Sequence, residues 1–136
     1  MEKNPDQLDP KKVTHRDFEK LELRVATIKG AKLHENGQDY VLALDLGPVE
    51  LDIQVVVDLK ESYNLEELIG KQVIVLLNIR PEKVGEIESQ AMLLITTKDG
   101  KPVLLSPEKA VYPGVQIVGI MNSTCIHFEP LGDSLK

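Results

Sequence analysis

Tryptophan is missing from this 136-residue chain, and two phenylalanines and three tyrosines bring its aromatic content to only 4%. So few flat side chains leave little material for stacking successive bases of a single strand. Cysteine occurs once, as Cys125. One thiol closes no internal disulfide, and without a partner it excludes a cysteine-based zinc site as well. Long oily stretches are also lacking: apolar runs such as Val73 to Leu77 fall far short of the roughly 20 residues a membrane helix requires. The opening Met1-Glu2-Lys3-Asn4-Pro5-Asp6 has no basic stretch leading into an apolar one, so no secretory signal is visible and a cytosolic address is the default expectation.

The templates of catalysis fail in the same way. There is no GxSxG turn to present a serine nucleophile and no GxGxxG to cradle a dinucleotide, and Gly70-Lys71 lacks both the earlier glycine and the following Ser or Thr of a phosphate loop. His15, His34 and His127 are too scattered for metal-ligand spacing. Asp45, Glu50, Asp52 and Asp58 cluster near expected strand ends, where carboxylates serve more often as solvated edge charges than as an acid and base pair. No enzyme activity and no cofactor are expected.

What the chain does have is 42% apolar residues and 28% charged ones, enough to build one packed domain with a wet surface. Its 16 Lys and Arg against 22 Asp and Glu give a net charge of −6. Taken whole, that balance argues against a nonspecific nucleic-acid coat. The distribution is uneven, however. Residues 35–70 hold nine acids against Lys60, whereas 21–34 hold Arg24, Lys29 and Lys32 against Glu22, and 71–85 hold Lys71, Arg80 and Lys83 against Glu82. A local basic surface on an acidic protein is therefore possible.

Residues 1–12 read as a mobile polar tail, 13–118 as the domain, and 119–136 as a C-terminal extension. Thr14 and Asp17 are spaced to cap a short helix. Alternation predicts strands at Leu21–Ile28, with Arg24 pointing outward, at Tyr40–Leu46, with Tyr40, Leu42, Leu44 and Leu46 on one face, and at Leu51–Val57. A short helix at Leu65–Ile69 with Gly70 as its stop precedes a fourth strand, Gln72–Ile79, whose continuous apolar centre suits burial on both sides. Arg80–Gln90 reads as a surface loop, Ala91–Thr97 as the fifth strand, and Asp99-Gly100 as the turn of a hairpin leading into Pro102–Leu105. Five strands with one short helix between the third and fourth describe an all-β, Greek-key barrel of the oligonucleotide/oligosaccharide-binding (OB) type. Val115, Ile117, Val118, Ile120, Met121 and Ile126 exceed the needs of such a barrel, which suggests a dimer interface.

The residues suited to a ligand gather around the fourth strand's exit. Asn78 closes an apolar strand, Arg80 and Lys83 flank Pro81 on a stiffened loop, and Ser89 and Gln90 arrive just before Ala91-Met92. Cations neutralise phosphate, while amides and hydroxyls bond to a 2′-hydroxyl or an unpaired base edge. Spacing alone favours a solvated loop with ordinary caps.

The run Asn78-Ile79-Arg80-Pro81-Glu82-Lys83-Val84-Gly85-Glu86-Ile87-Glu88-Ser89-Gln90-Ala91-Met92 resembles the signature of the EMAP II-like tRNA-binding domain, found at the C-terminus of many methionyl-tRNA synthetases and as a free-standing dimer. The resemblance extends through Asp17-Phe18-Glu19-Lys20-Leu21-Glu22-Leu23-Arg24-Val25-Ala26, Glu66 to Val73, Leu104 to Glu108 and Val111-Tyr112-Pro113-Gly114, and so covers roughly residues 17–118. It implies an OB fold, a homodimer and shape-directed binding of tRNA without chemistry, with support of an aminoacyl-tRNA synthetase as one role. By motif position it implies Asn78, Arg80, Lys83, Ser89, Gln90 and Met92 as RNA contacts, with Arg24 beside them. The chain departs from the family at Ala91, which stands for the motif glycine, at Gln54-Val55-Val56-Val57-Asp58 in place of a Ser-Gly pair, and at Glu82, Glu86 and Glu88 inside the loop. The bacterial chaperone CsaA is similar in length and motif, and it implies the alternative of a dimer that binds unfolded polypeptides.

Overall fold

The computed structural model describes residues 11–121 and the backbone of Thr124 and Cys125; the tail expected at 1–12 lies almost wholly outside the described residues, as does most of the extension at 119–136. The chain opens with α1 (His15–Glu19), where the Asp17 amide donates to Thr14 Oγ1 at 3.1 Å and the Thr14 amide returns to Asp17 Oδ2 at 3.0 Å. This reciprocal cap satisfies amides that a helix start leaves open. The Thr14 amide also holds the Asp17 carboxyl below the ordinary carboxylate range.

Strand β1 (Leu23–Leu33) is longer than the alternation predicted, because a bulge between Ile28 and Gly30 bends it and lets one strand serve two neighbours. Its first half pairs with β4 (Gln72–Leu76), its second with β2 (Tyr40–Asp45), and β2 pairs in turn with β3 (Ile53–Val57). Leu21 falls outside the sheet and is exposed, and Leu51 is 89% exposed ahead of β3. The face expected of Tyr40, Leu42, Leu44 and Leu46 is buried as anticipated, together with Ile28, Val55, Val73 and Val75. Burial alternates along β4, so one face of that strand is covered rather than both. Between β3 and β4, α2 (Leu65–Leu68) is started by an Asn64 and Glu67 capping box that the sequence reading passed over, and it buries Leu68 in the core.

After β4 come a hairpin, β5 (Glu82–Val84) and β6 (Ile87–Ser89), then β7 (Met92–Leu93) beside β4, and a second hairpin, β8 (Ile95–Lys98) and β9 (Lys101–Leu104), turned by Asp99-Gly100 as expected. The segment Arg80–Gln90 is thus ordered structure and not a plain loop, and the predicted fifth strand is broken after Leu93. The remaining described strands are β10 (Ile120–Met121) and β11 (Thr124–Cys125), which pair with each other.

The five-stranded antiparallel sheet, in the order β3-β2-β1-β4-β7, curls into a nearly closed barrel. The free edge of β1 beside its first half is covered by the chain at 114–117: the Val25 amide donates to the Val115 carbonyl at 2.9 Å and the Ile117 amide to that of Leu23 at 2.9 Å. Val115 and Ile117, set aside above as surplus apolar residues, are therefore part of the barrel. Gly114 makes this docking possible. Its φ of +96° suits glycine, and a Cβ there would run into the Leu46 carbonyl.

Candidate nucleic-acid interface

The site is built outward from the end of β4. Asn78 receives the Glu22 amide on its Oδ1 at 2.8 Å and donates through Nδ2 to the Lys20 carbonyl at 2.6 Å. Its carboxamide thereby ties the chain leaving β4 to the segment entering β1. Both ends of this side chain are spent on backbone, so its effect on a ligand is to fix where Ile79, Arg80 and Pro81 begin.

From there the β5–β6 hairpin reaches to the loop that follows β1. His34, 6% exposed, is the one buried polar or charged side chain among the described residues. Its Nδ1 accepts the Asn36 amide at 3.0 Å, so the ring proton resides on Nε2, which donates to the Val84 carbonyl at 2.8 Å. Gly85, at φ +64°, turns the hairpin tightly against this ring: a Cβ would lie 3.1 Å from His34 Cε1. The tip of the hairpin is in this way latched to the barrel.

The base of the hairpin closes the barrel. The Val56 amide of β3 donates to Ser89 Oγ at 3.0 Å, the Gln54 amide donates to Gln90 Oε1 at 2.8 Å, and the Gln90 amide donates to the Gln54 carbonyl at 2.9 Å. Gln54 Nε2 adds a bond to the Glu88 carbonyl at 3.1 Å. Edge strands must pair their amides or leave them to water. Here side chains from the motif segment supply most of the partners.

Between the hairpin and β3 lies a cleft of about 270 Å³. Val56, Ile79, Ala91 and Leu93 contribute apolar lining, and Arg80, Glu82, Ser89 and the exposed Met92 complete it. Glu82 and Val84, two apart on β5, share this side, and alternation turns Lys83 to the other face, in register with Glu88. The structure therefore brings Arg80, Ser89 and Met92 together, keeps Asn78 and Gln90 next to them as braces, and sets Lys83 on the hairpin's outer face. Glu82, one of the departures from the family pattern, is a member of the cleft.

Arg24 stands apart, and its expected outward orientation is corrected. Its side chain is 18% exposed, Nη1 donates to the Gly114 carbonyl at 3.0 Å, and Nε lies 3.8 Å from Glu22 Oε2. The approach of residues 114–117 to β1 covers it. Lys29, on the same strand, is paired with Asp52, whose carboxylate raises the lysine above its ordinary value. Of the six cations in the two locally basic segments, Arg24 and Lys29 are thus engaged; Lys32, Lys71, Arg80 and Lys83 have no side-chain partner among the described residues.

Comparison with known proteins decides the family. The description "Putative tRNA binding domain" belongs to the family whose pattern matches residues 23–116. The chain belongs to that tRNA-binding domain family. Methionine–tRNA ligase of Archaeoglobus fulgidus is 41% identical over 102 residues, which is 74% of this chain and 15% of the ligase, and that of Methanococcoides burtonii is 41% identical over 118 residues, 85% of this chain and 16% of the ligase. The chain therefore spans only about a sixth of the length of these relatives. Among solved structures, chaperone CsaA from Bacillus anthracis aligns with a TM-score of 0.70 at 28% identity, over 78% of this chain and 98% of that one. The MetRS related protein from Pyrococcus horikoshii aligns equally well, at 0.70 and 28%, over 79% and 98%. Within the tRNA-binding domain family, the motif Asn78–Met92 thus maps onto one hairpin, one seam and one cleft.

Proposed function

We propose that this tRNA-binding domain holds tRNA by shape and backbone, performing no chemistry, with the β5–β6 hairpin and its cleft as the contact face. The supporting observation is Arg80: it lines the cleft, is exposed and has no ion-pair partner among the described residues. Lys83 meets backbone phosphates on the hairpin's outer face, and Met92 offers a polarizable apolar surface at the cleft. Asn78, Ser89 and Gln90 act in this reading mainly by fixing the hairpin, and Arg24 by holding the segment at residue 114. The chain works as a homodimer and serves an aminoacyl-tRNA synthetase, a partnership suggested by the methionine–tRNA ligase relatives.

The test is salt and charge together. Phosphate neutralisation releases counterions, so log affinity for tRNA falls linearly with log salt. Arg80→Glu with Lys83→Glu abolishes retention of tRNA on a filter; unchanged retention rejects the site. A second reading has its own support, the likeness to chaperone CsaA together with exposed Ile120 and Met121. It requires suppression of aggregation of an unfolded client, without competition by RNA.

A further inference from the structure

The hairpin carries an acid where a phosphate-binding loop has no use for one. Glu82 lines the cleft and is exposed, and its side chain makes no hydrogen bond or ion pair among the described residues. Arg80, two residues earlier, lines the same cleft and is equally unengaged. A guanidinium offers donors only, and a carboxylate offers acceptors only. The apolar lining from Val56, Ile79 and Leu93 would shelter a flat ring, and the Met92 thioether makes favourable contacts with aromatic edges. At about 270 Å³ the space falls just below the roughly 300 Å³ at which pockets for drug-sized ligands begin, which suits one heterocycle rather than a whole nucleotide.

We propose that this cleft takes a single unpaired guanine of the bound RNA, with Glu82 and Arg80 reading its two edges. Guanine alone among the four bases presents a pair of adjacent donors, N1–H and N2–H, that match both oxygens of one carboxylate. It also presents the adjacent acceptors O6 and N7 that suit an arginine fork. Adenine has one donor group beside N7 and no second acceptor there, cytosine one exocyclic amine, and uracil one imino proton. Each leaves Glu82 or Arg80 without a full partner, and a polar group that the bound base covers without pairing costs affinity. Glu82 is in this account a specificity residue that repels phosphate from the cleft and admits a base. The inference rests on the tRNA reading above and adds to it which nucleotide the site selects.

The experiment uses the full chain and short uridine oligoribonucleotides carrying one central guanosine, inosine or adenosine, with fluorescence anisotropy as readout and bulk tRNA measured in parallel. Inosine lacks only the 2-amino group. The guanosine oligomer is expected to bind roughly tenfold more tightly than either of the others. Glu82→Gln is expected to erase the gap between guanosine and inosine, while Arg80 preserves a preference over adenosine and tRNA binding keeps its steep salt dependence. Equal affinity for all three oligomers, no saturable binding of the guanosine one, or a gap over inosine that survives Glu82→Gln overturns the proposal. In each of those cases tRNA binding by the native chain leaves the broader reading standing, whereas failure to bind tRNA at low salt removes both. The Met92 methyl resonance locates the occupant: a shift with an arginine-containing peptide and none with the guanosine oligomer assigns the cleft to polypeptide and overturns the proposal.

Discussion

Ser89 and Gln90 spend their side-chain oxygens on the backbone of β3, at 3.0 and 2.8 Å, so their first duty is to the barrel. Ser89→Ala leaves the part-buried Val56 amide without an acceptor, an omission that costs about 1–3 kcal/mol. Urea unfolding is expected to show that loss, with a smaller effect on tRNA affinity than Arg80→Glu. Equal stability of the variant and native chains contradicts the seam. The motif positions were legible through the resemblance of Asn78–Met92 to a family signature, since spacing alone suits a capped loop as well. Their targets were not, because Asn78 bonds to Lys20 and to Glu22 across a separation of more than fifty residues, and nothing local announces so distant a partner. Arg24 failed for a similar reason: alternation correctly assigned it to the face opposite Val25, but only the folded chain brings Gly114 over that face.

Among the elements, the β5–β6 hairpin was the one most poorly read. Pro81 and Gly85 marked it as irregular, and three-residue strands are too short to show a period. β1 was legible because leucine and valine alternate with Glu22 and Arg24, and β2 and β3 because large apolar residues recur at every second position. What positions the hairpin is His34, a residue that spacing arguments set aside as no metal ligand. Its two hydrogen bonds join the loop after β1 to the hairpin tip. His34→Ala is predicted to lower stability by about 1–3 kcal/mol, since it leaves the Val84 carbonyl and Asn36 amide unpaired. Amide exchange across 82–89 is expected to quicken by more than exchange in β2. Unchanged protection across the hairpin would falsify the latch.

At the scale of the molecule, nine of the acids behind the net charge of −6 lie within residues 35–70, while the proposed contact hairpin carries Glu82, Glu86 and Glu88 beside Arg80 and Lys83. Composition assigns that distribution no geometry; folding pairs Lys29 with Asp52 and leaves Arg80 and Lys83 on the hairpin. Of the residues that motivate the expected dimer, Ile120 and Met121 are exposed at 68% and 61%, Val115 and Ile117 belong to the barrel, and Ile126 lies outside the described residues. Sedimentation at micromolar concentration is expected to return twice the chain mass, and a monomer mass contradicts that expectation.

The seam along β3 has a consequence for how binding and folding speak to each other. The lock of the barrel and the seat for the guest are cut from one short stretch of chain, so a guest that steadies residues 88–90 also steadies the closure of β3 against them. By mass action on the native state, the protein is most tightly shut when it is loaded.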